Sequence, residues 1–464
     1  MKAIFCSFAL PLVAGLLCAS ASAADAPRDD QSALVPALNQ GSRVLQFDWP
    51  TLEIGTGEYE DGPTGVTVIH FTKRVFGAVD VRGGGPGTVN TDYLRIGYDV
   101  PELDAVVFSG GSWYGLENTT AVATALKDDG SRDGIWTNLA LSVGAIIYDF
   151  GDRRLNEIYP DKRLAQAAFR AARPGVFPLG AQGAGRLAKT GSLFGCNAFS
   201  GQGAAFRQIG ELKIAAFVVV NALGAVTRRD GRVAACYPDT SWPKDIQTAD
   251  LLAGYPASRK PNWAAAPLSE DKKRNTTISL IVTNQKLPRA QLERLATQVH
   301  SSMGRAIQPF ATEFDGDVLY AVSTAELDRT VDESETPNID LDVIASEVMW
   351  DAILSSVPEQ PARPKAAKNV VVKPDVLKSH AGEYVFSRIV KVRVTADGAT
   401  LSAQATGPRN AFAIGREKPV QLQALSPTQF TVPGRYPLVL DFASPDTLIM
   451  NPGHWQQTGK RQSP

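Results

Sequence analysis

Histidine is scarce in this chain of 464 residues, as are cysteine and methionine, with four of each. Each shortage removes some chemistry. His70, His300, His380 and His454 lie far apart and none stands in a metal-ligand spacing such as His-x-x-x-His, which argues against a zinc hydrolase. No Gly-x-Ser-x-Gly elbow precedes a helix near any of them, the arrangement that many Ser-His-Asp enzymes use. An excess of one charge is missing too: 47 Lys and Arg face 48 Asp and Glu, evenly spread, for a formal net charge of −1. There is no basic stripe for nucleic acid and no acidic tail, so the expected partner is a peptide or another small molecule. No internal repeat is visible, and the only long apolar run is at the N-terminus.

That run has the three parts of a secretory signal peptide: Met1-Lys2, an apolar stretch from Ala3 to Ala19, and the small-residue site Ala21-Ser-Ala23. Cleavage after Ala23 is expected, giving an exported protein, periplasmic or secreted, with no membrane attachment once the signal is gone. A membrane anchor fits less well because the run falls short of about 18 residues, and Leu17 suits a lipobox before Cys18 poorly. Only Cys196 and Cys236 then remain. An oxidising compartment permits a disulfide between them, although two buried free thiols would read the same.

Between Leu38 and Asp104 the pattern gives short strands broken by Gly and Asp turns, among them Val66 to Phe71 and Phe76 to Val81. Helical spacing follows at Leu116 to Leu126 and Arg163 to Ala172, and Ile214 to Asn221 reads as a buried strand ending in a polar residue. Gln291 to Ile307 places Leu292, Leu295, Ala296, Val299, Met303 and Ile307 on one face of a helix. Leu341 to Ile353 does the same, with Asp340 as its N-cap. Residues 357–371, rich in proline and charge, read as an extended linker. After it, 372–464 reads as a small antiparallel β-domain, with runs at Val390 to Val394, Leu401 to Ala405, Gln421 to Leu425, Phe430 to Val432 and Pro437 to Phe442.

The most informative stretch is Asn275-Thr276-Thr277-Ile278, where a segment rich in Pro, Ala, Lys and Asp meets a β-branched strand. A cut between Asn275 and Thr276 would leave an N-terminal threonine. Its α-amine, with a pKa of about 7.7 to 8.0, could take the proton of its own hydroxyl, so no histidine would be needed. The same residues also read as an ordinary turn leading into a strand.

Around this stretch stand Gly65-Val-Thr-Val-Ile-His70, Val81-Arg-Gly-Gly-Gly-Pro-Gly-Thr88, Ser109-Gly-Gly-Ser-Trp-Tyr-Gly-Leu116, Gly144-Ala-Ile-Ile-Tyr-Asp149, Val218-Val-Val-Asn221 and Phe314-Asp-Gly-Asp317. In this order they resemble the L-aminopeptidase/D-esterase family, which includes the β-peptidyl aminopeptidases, from about Val44 to Ser355. The resemblance implies an α/β fold, a four-layer αββα sandwich of N-terminal-nucleophile type over 24–356. It also implies a precursor that cuts itself at Asn275/Thr276 into an α-chain, 24–275, and a β-chain from Thr276. The substrate would be an N-terminal amide or ester of a peptide or amino acid, with no cofactor and no metal, and the assembly a multimer of α/β heterodimers.

By the same resemblance Thr276 is nucleophile and amine base, Asn221 holds the oxyanion, and Tyr148 steadies the intermediate. Their chemistry suits Asp315 and Asp317 to hold an ammonium, at a turn where some relatives carry a serine and a glutamate, and Thr277 to tune the first hydroxyl. Without it, Asn221 is a strand-ending polar residue, Tyr148 a core aromatic, Asp315 and Asp317 a solvated turn, Thr277 a strand filler and His300 a satisfied surface or core histidine. Val81 to Gly87 lacks the Lys-Ser/Thr of a phosphate loop; the resemblance puts it at the border of the pocket. Ser109 to Gly115 reads as another close backbone approach or as plain strand-to-helix packing. The C-terminal region, with Leu377-Lys-Ser-His-Ala-Gly-Glu-Tyr384, resembles the lipocalin-like β-domain appended to serine β-lactamase-type enzymes. Two alternatives stand beside the hydrolase: an acyltransferase of ornithine acetyltransferase type, and a processing-dead binding protein.

Overall fold

A computed structural model describes residues 31–462 except 98, 100, 239–241, 255–274, 329–336 and 365–369. The signal segment, the stretch 256–274 before Asn275, and 365–369 of the expected linker lie outside the described residues. The larger N-terminal part alternates long strands with helices: β1 Leu52–Tyr59, β2 Thr64–Val81, β3 Glu102–Ser109, α1 Glu117–Asp128, β4 Ser142–Ile146 and α2 Lys162–Arg170. It continues through β5 Gln202–Ile209, β6 Leu212–Asn221, β7 Thr276–Gln285, α3 Arg289–Ser302, β8 Val318–Leu327 and α4 Pro337–Ser355.

The hydrogen-bonded order β5-β6-β7-β8-β2-β3-β4, with β1 also on β2, is one sheet folded over at β2. The N-terminal half of β2 pairs with β1 and β3, and its C-terminal half pairs with β8. Alternation then sends Ile54, Ile69, Val106, Phe217, Leu280 and Tyr320 into a common core between the two halves. On the outside, α3 and α4 cover Ala216, Val218, Ile281 and Leu319, while α1 and α2 cover the other half. This is the expected αββα layering. Asp161 caps α2 by accepting from the Leu164 amide at 3.0 Å.

Four local expectations change. Val66 to Phe71 and Phe76 to Val81 are one strand, because the exposed Thr72 and Lys73 mark a register irregularity between His70 and Val75, not a hairpin. The helix at 289 ends at Ser302; Met303–Arg305 is a 3-10 turn and Ile307 opens a short strand. The apolar stripe runs on through that turn, so its spacing could not mark the end. Asp340 lies inside α4, which begins at Pro337, and is not its N-cap. The chain from Val357 to Arg363 has no regular structure but is pinned, for Gln360 bonds both backbone groups of Phe199 at 2.9 Å.

After α5 Pro374–His380 come β9 Gly382–Val385, β10 Lys391–Asp397, β11 Thr400–Ala405, β12 Val420–Ala424, β13 Gln429–Thr431, β14 Val439–Ser444, β15 Thr447–Met450 and β16 Gln457–Arg461. They close an antiparallel barrel of eight strands, β16 pairing back onto β9. Tyr384, Val392, Leu401, Phe430, Leu440 and Met450 fill its interior.

Leu155, from the larger N-terminal part, is buried in the same hydrophobic cluster, a contribution of roughly 1.5–3 kcal/mol to holding the two parts together. Trp455 stacks on Phe199 with ring centres 4.0 Å apart.

Candidate active site

Strand register assembles the site. β6 and β7 pair so that Asn221 lies opposite Thr276. Asn221 follows Ala215, Phe217 and Val219, and Thr276 precedes Ile278, Leu280 and Val282, so both polar side chains end rows that face the core between the sheet halves. Both are buried, at 2% and 4% exposure. A polar group in such a place needs partners.

The carbonyl oxygen of Asn275 has two: it accepts from the Gly316 amide at 2.9 Å and from the Thr276 hydroxyl at 2.5 Å. The peptide bond before Thr276 is thus polarised by a backbone N–H with the hydroxyl beside it. Gly316 lies in the turn Phe314-Asp-Gly-Asp317, which packs on the glycine-rich turn. The Gly85 amide donates to Asp315 O at 2.9 Å and the Arg82 amide to Asp317 O at 3.1 Å. A Cβ on Gly83 would stand 2.1 Å from Asp317 N, so only glycine permits this approach. Val81 to Gly87 therefore borders the site.

Asp315 and Asp317 are not the solvated turn that the residues alone suggested. Asp315 Oδ1 accepts from the Leu223 amide at 3.3 Å and its Oδ2 from the Thr312 amide and hydroxyl at 3.1 and 2.7 Å. Asp317 Oδ1 accepts from the Thr277 amide at 2.5 Å and its Oδ2 from the Ala311 amide at 3.0 Å. Burial raises the Asp315 pKa despite these bonds. For Asp317, burial and then the neighbouring Asp315 charge push it well above the ordinary value. Thr277 touches the site through its amide, with its side chain buried.

On the other side of Thr276, the Asn221 amide is held at both ends. Its Oδ1 accepts from the Lys189 amide at 3.0 Å and its Nδ2 donates to Tyr148 O at 3.0 Å. Tyr148 thus meets Asn221 through its carbonyl, while its hydroxyl donates to Phe150 O at 3.3 Å. Lys189 Nζ pairs with Asp152 at 2.6 Å. Asp152 keeps 45% of its side-chain surface open. Crowding alone would raise its pKa, but Lys189, then Arg153 and Arg409, bring it down to about 2.

Lys189 and Asp152 carried no signal in the sequence, and Gly316 only that of its place in Phe314-Asp-Gly-Asp317. A lone lysine in Arg-Leu-Ala-Lys-Thr and a glycine between two aspartates acquire meaning only through the register that brings them to Asn221 and Asn275. The Ser109 loop serves both readings given above: Asn118 Nδ2 ties Ser109 Oγ at 2.7 Å to the following helix, while Gly111 N donates to Asp149 at 2.9 Å. His300 is a buried core histidine with Nδ1 2.7 Å from Asp80. Among the described residues no group of three His, Cys, Asp or Glu is placed to hold a metal. Cys196 and Cys236 form a disulfide.

The chain matches Peptidase family S58 over residues 47–363. It is 40% identical over 338 residues to the 6-aminohexanoate-oligomer endohydrolase of Paenarthrobacter ureafaciens, covering 71% of this chain and 90% of that one. It is 33% identical over 283 residues to an uncharacterized aminopeptidase of Mycobacterium leprae, covering 57% and 72%. Among solved structures, a beta-aminopeptidase of Burkholderia sp. aligns with a TM-score of 0.46 at 19% identity, over 68% of this chain and 84% of that one.

Proposed function

The chain belongs to peptidase family S58, which makes it a hydrolase of the aminopeptidase and amidase type, and on that premise we propose that it activates itself by cutting at Asn275/Thr276. The observation that carries this reading is the Asn275 carbonyl, held by the Gly316 N–H with the Thr276 hydroxyl 2.5 Å from its oxygen. In the first step the Thr276 oxygen attacks the Asn275 carbonyl carbon. The C–N bond breaks, the nitrogen takes a proton and becomes the α-amine, and Asn275 is left as an ester on Thr276. Water then hydrolyses the ester, freeing the Asn275 carboxylate. In turnover the same hydroxyl attacks the substrate amide, the α-amine accepts its proton and passes it to the leaving amine, and water resolves the acyl-threonine. Asn221, with Lys189 beside it, stabilises the oxyanion.

The substrate we favour is a linear aliphatic amide oligomer, the class named for the Paenarthrobacter relative. An amino-terminal ammonium was expected to pair with Asp315 or Asp317, but both are buried, at 2% and 1% exposure, and each of their oxygens already accepts a hydrogen bond inside the protein. That burial leaves a substrate ammonium little access to those carboxylates, which supports cleavage within a chain over removal of an amino-terminal residue. Export fits the Cys196–Cys236 disulfide, since such bonds persist in oxidising compartments.

The test is intact mass and N-terminal sequencing of the purified chain, with hydrolysis of a 6-aminohexanoate oligomer, its amino terminus free or acetylated. Two fragments, the smaller beginning Thr-Thr-Ile-Ser, and equal cleavage of both substrates are expected. Thr276→Ala should abolish cutting and hydrolysis, and a cut, active variant would sink the mechanism.

A further inference from the structure

The barrel lies outside the span matched to the family, which ends at residue 363, yet it reaches the active site. Between β4 and α2 the segment 148–155 contains no strand or helix, so, apart from the Arg154 amide on Gly151 O at 2.9 Å and the Tyr148 hydroxyl on Phe150 O at 3.3 Å, its backbone groups must find partners elsewhere. The barrel supplies them. Arg409 Nη2 donates to Phe150 O and to Gly151 O, both at 2.7 Å. The Phe412 amide donates to Asp152 O at 3.2 Å. Gln457 Nε2 donates to Arg153 O at 2.6 Å and its Oε1 accepts from Leu155 N at 2.6 Å. Four successive carbonyls, from Phe150 to Arg153, are thus capped by barrel donors.

This segment also orients the oxyanion side. Tyr148 O receives the Asn221 Nδ2 proton, and the Asp152 carboxylate holds Lys189, whose amide donates to Asn221 Oδ1. The barrel interior is packed with side chains, so its outer surface is what it offers to function.

We propose that the barrel is a working part of the active site, with Arg409 a positioning residue that fixes the Tyr148 to Asp152 segment and through it the Asn221 amide and the Lys189 ammonium. This rests on the roles given above to Thr276 and Asn221. It predicts a split between the two reactions. Self-cleavage uses the Gly316 N–H, which the barrel does not touch, whereas turnover uses Asn221.

The experiment compares full-length Arg409→Gln, Arg409→Lys and Arg388→Gln with the parent chain. Arg388 joins the barrel to Glu157 at 2.6 and 2.8 Å without reaching Asn221, so it controls for docking alone. Self-cleavage of each variant reports that it has folded. Outer partners that orient reacting groups at metal centres are worth roughly 10- to 100-fold in activity. Arg409→Gln is expected to cut itself within twofold of the parent rate and to lose kcat about tenfold on the 6-aminohexanoate oligomer with KM little changed. Arg409→Lys, which keeps the charge and one donor reaching the carbonyls, should recover most of it, and Arg388→Gln should match the parent.

Parent-like kcat in Arg409→Gln, or equal losses in Arg409→Gln and Arg388→Gln, would overturn the proposal. If Arg409→Gln does not fold, Asp152→Asn decides: a reduced kcat supports the chain of contacts and an unchanged one refutes it. An active Thr276→Ala would instead refute the catalytic reading, whatever Arg409 does.

Discussion

Gly316→Ala is the sharpest probe of the scissile geometry. A Cβ built on Gly316 lies 2.7 Å from Gly85 O and 2.8 Å from Thr276 Oγ1. Moving the second contact out to the 3.4 Å of ordinary van der Waals contact requires about 0.6 Å of displacement. The Gly85 carbonyl belongs to a turn fixed by hydrogen bonds to Asp315 and Thr312, so it yields less readily than the threonine hydroxyl. No left-handed φ is required at 316, which leaves the contact itself as the cost of the substitution.

Forcing one extra methyl into a packed site costs about 1–3 kcal/mol of stability. The rate should suffer more, because a displacement of about 1 Å at a reacting group can cost on the order of 100-fold. We expect self-cleavage of Gly316→Ala to slow roughly 10- to 100-fold, followed as the conversion of precursor into two fragments by mass. Gly304→Ala is the control, since a Cβ there meets nothing within 4 Å. Parent-like cleavage in Gly316→Ala would show that the Gly316 and Thr276 contacts at the Asn275 carbonyl do not govern the reaction.

Replacing Asn221 by Ala should lower kcat by about 2.7–4 kcal/mol of barrier, the usual worth of an oxyanion donor; a loss under threefold would make Asn221 only a structural link between Lys189 and Tyr148. Replacing Cys196 and Cys236 by Ala opens a 40-residue separation, for which loop entropy predicts about 4 kcal/mol less stability in denaturant unfolding; an unchanged midpoint refutes that share. The buried carboxyl pair sets a pH dependence. A carboxyl whose folded pKa is raised, as in Asp317, favours the fold fully below its ordinary 3.8 and loses that contribution as pH rises through the raised value. Thr276→Ala precursor should therefore lose melting temperature from pH 4 upward, and adding Asp315→Asn should flatten that slope by removing the neighbouring charge; identical slopes would show that the pair does not interact.

Much of the site could be read from the residues because strands carry their chemistry at their ends. Val218 to Asn221 and Thr276 to Val282 are apolar rows with one polar terminus each, and pairing the two rows puts the termini together. The glycine-rich turn was legible for a related reason: only a close backbone approach calls for Gly83 beside two further glycines. What alternation cannot give is partners across the fold. Asp315 and Asp317 looked like a solvated pair because an Asp-Gly turn opening a strand usually faces water, yet their oxygens accept from Leu223, Ala311, Thr312 and Thr277 inside the protein. That inward arrangement changes the chemistry available to them, from an open turn to a buried carboxyl pair whose pKa values burial raises.

The barrel shows the same limit at a larger scale. Its strands were recognisable from alternation in Val390 to Val394 and Leu401 to Ala405, and the proline-rich stretch before them suggested independence. Independence does not follow from a linker, however, because docking is decided by what the preceding domain leaves unsatisfied. Segment 148–155 leaves the carbonyls of Asp152 and Arg153 without local partners and those of Phe150 and Gly151 with one each, and it leaves Leu155 without a local core. Both needs are met by residues more than 200 positions away. No periodicity in the sequence records a debt of that kind, and a domain that settles it beside Asn221 acquires a means of acting on catalysis.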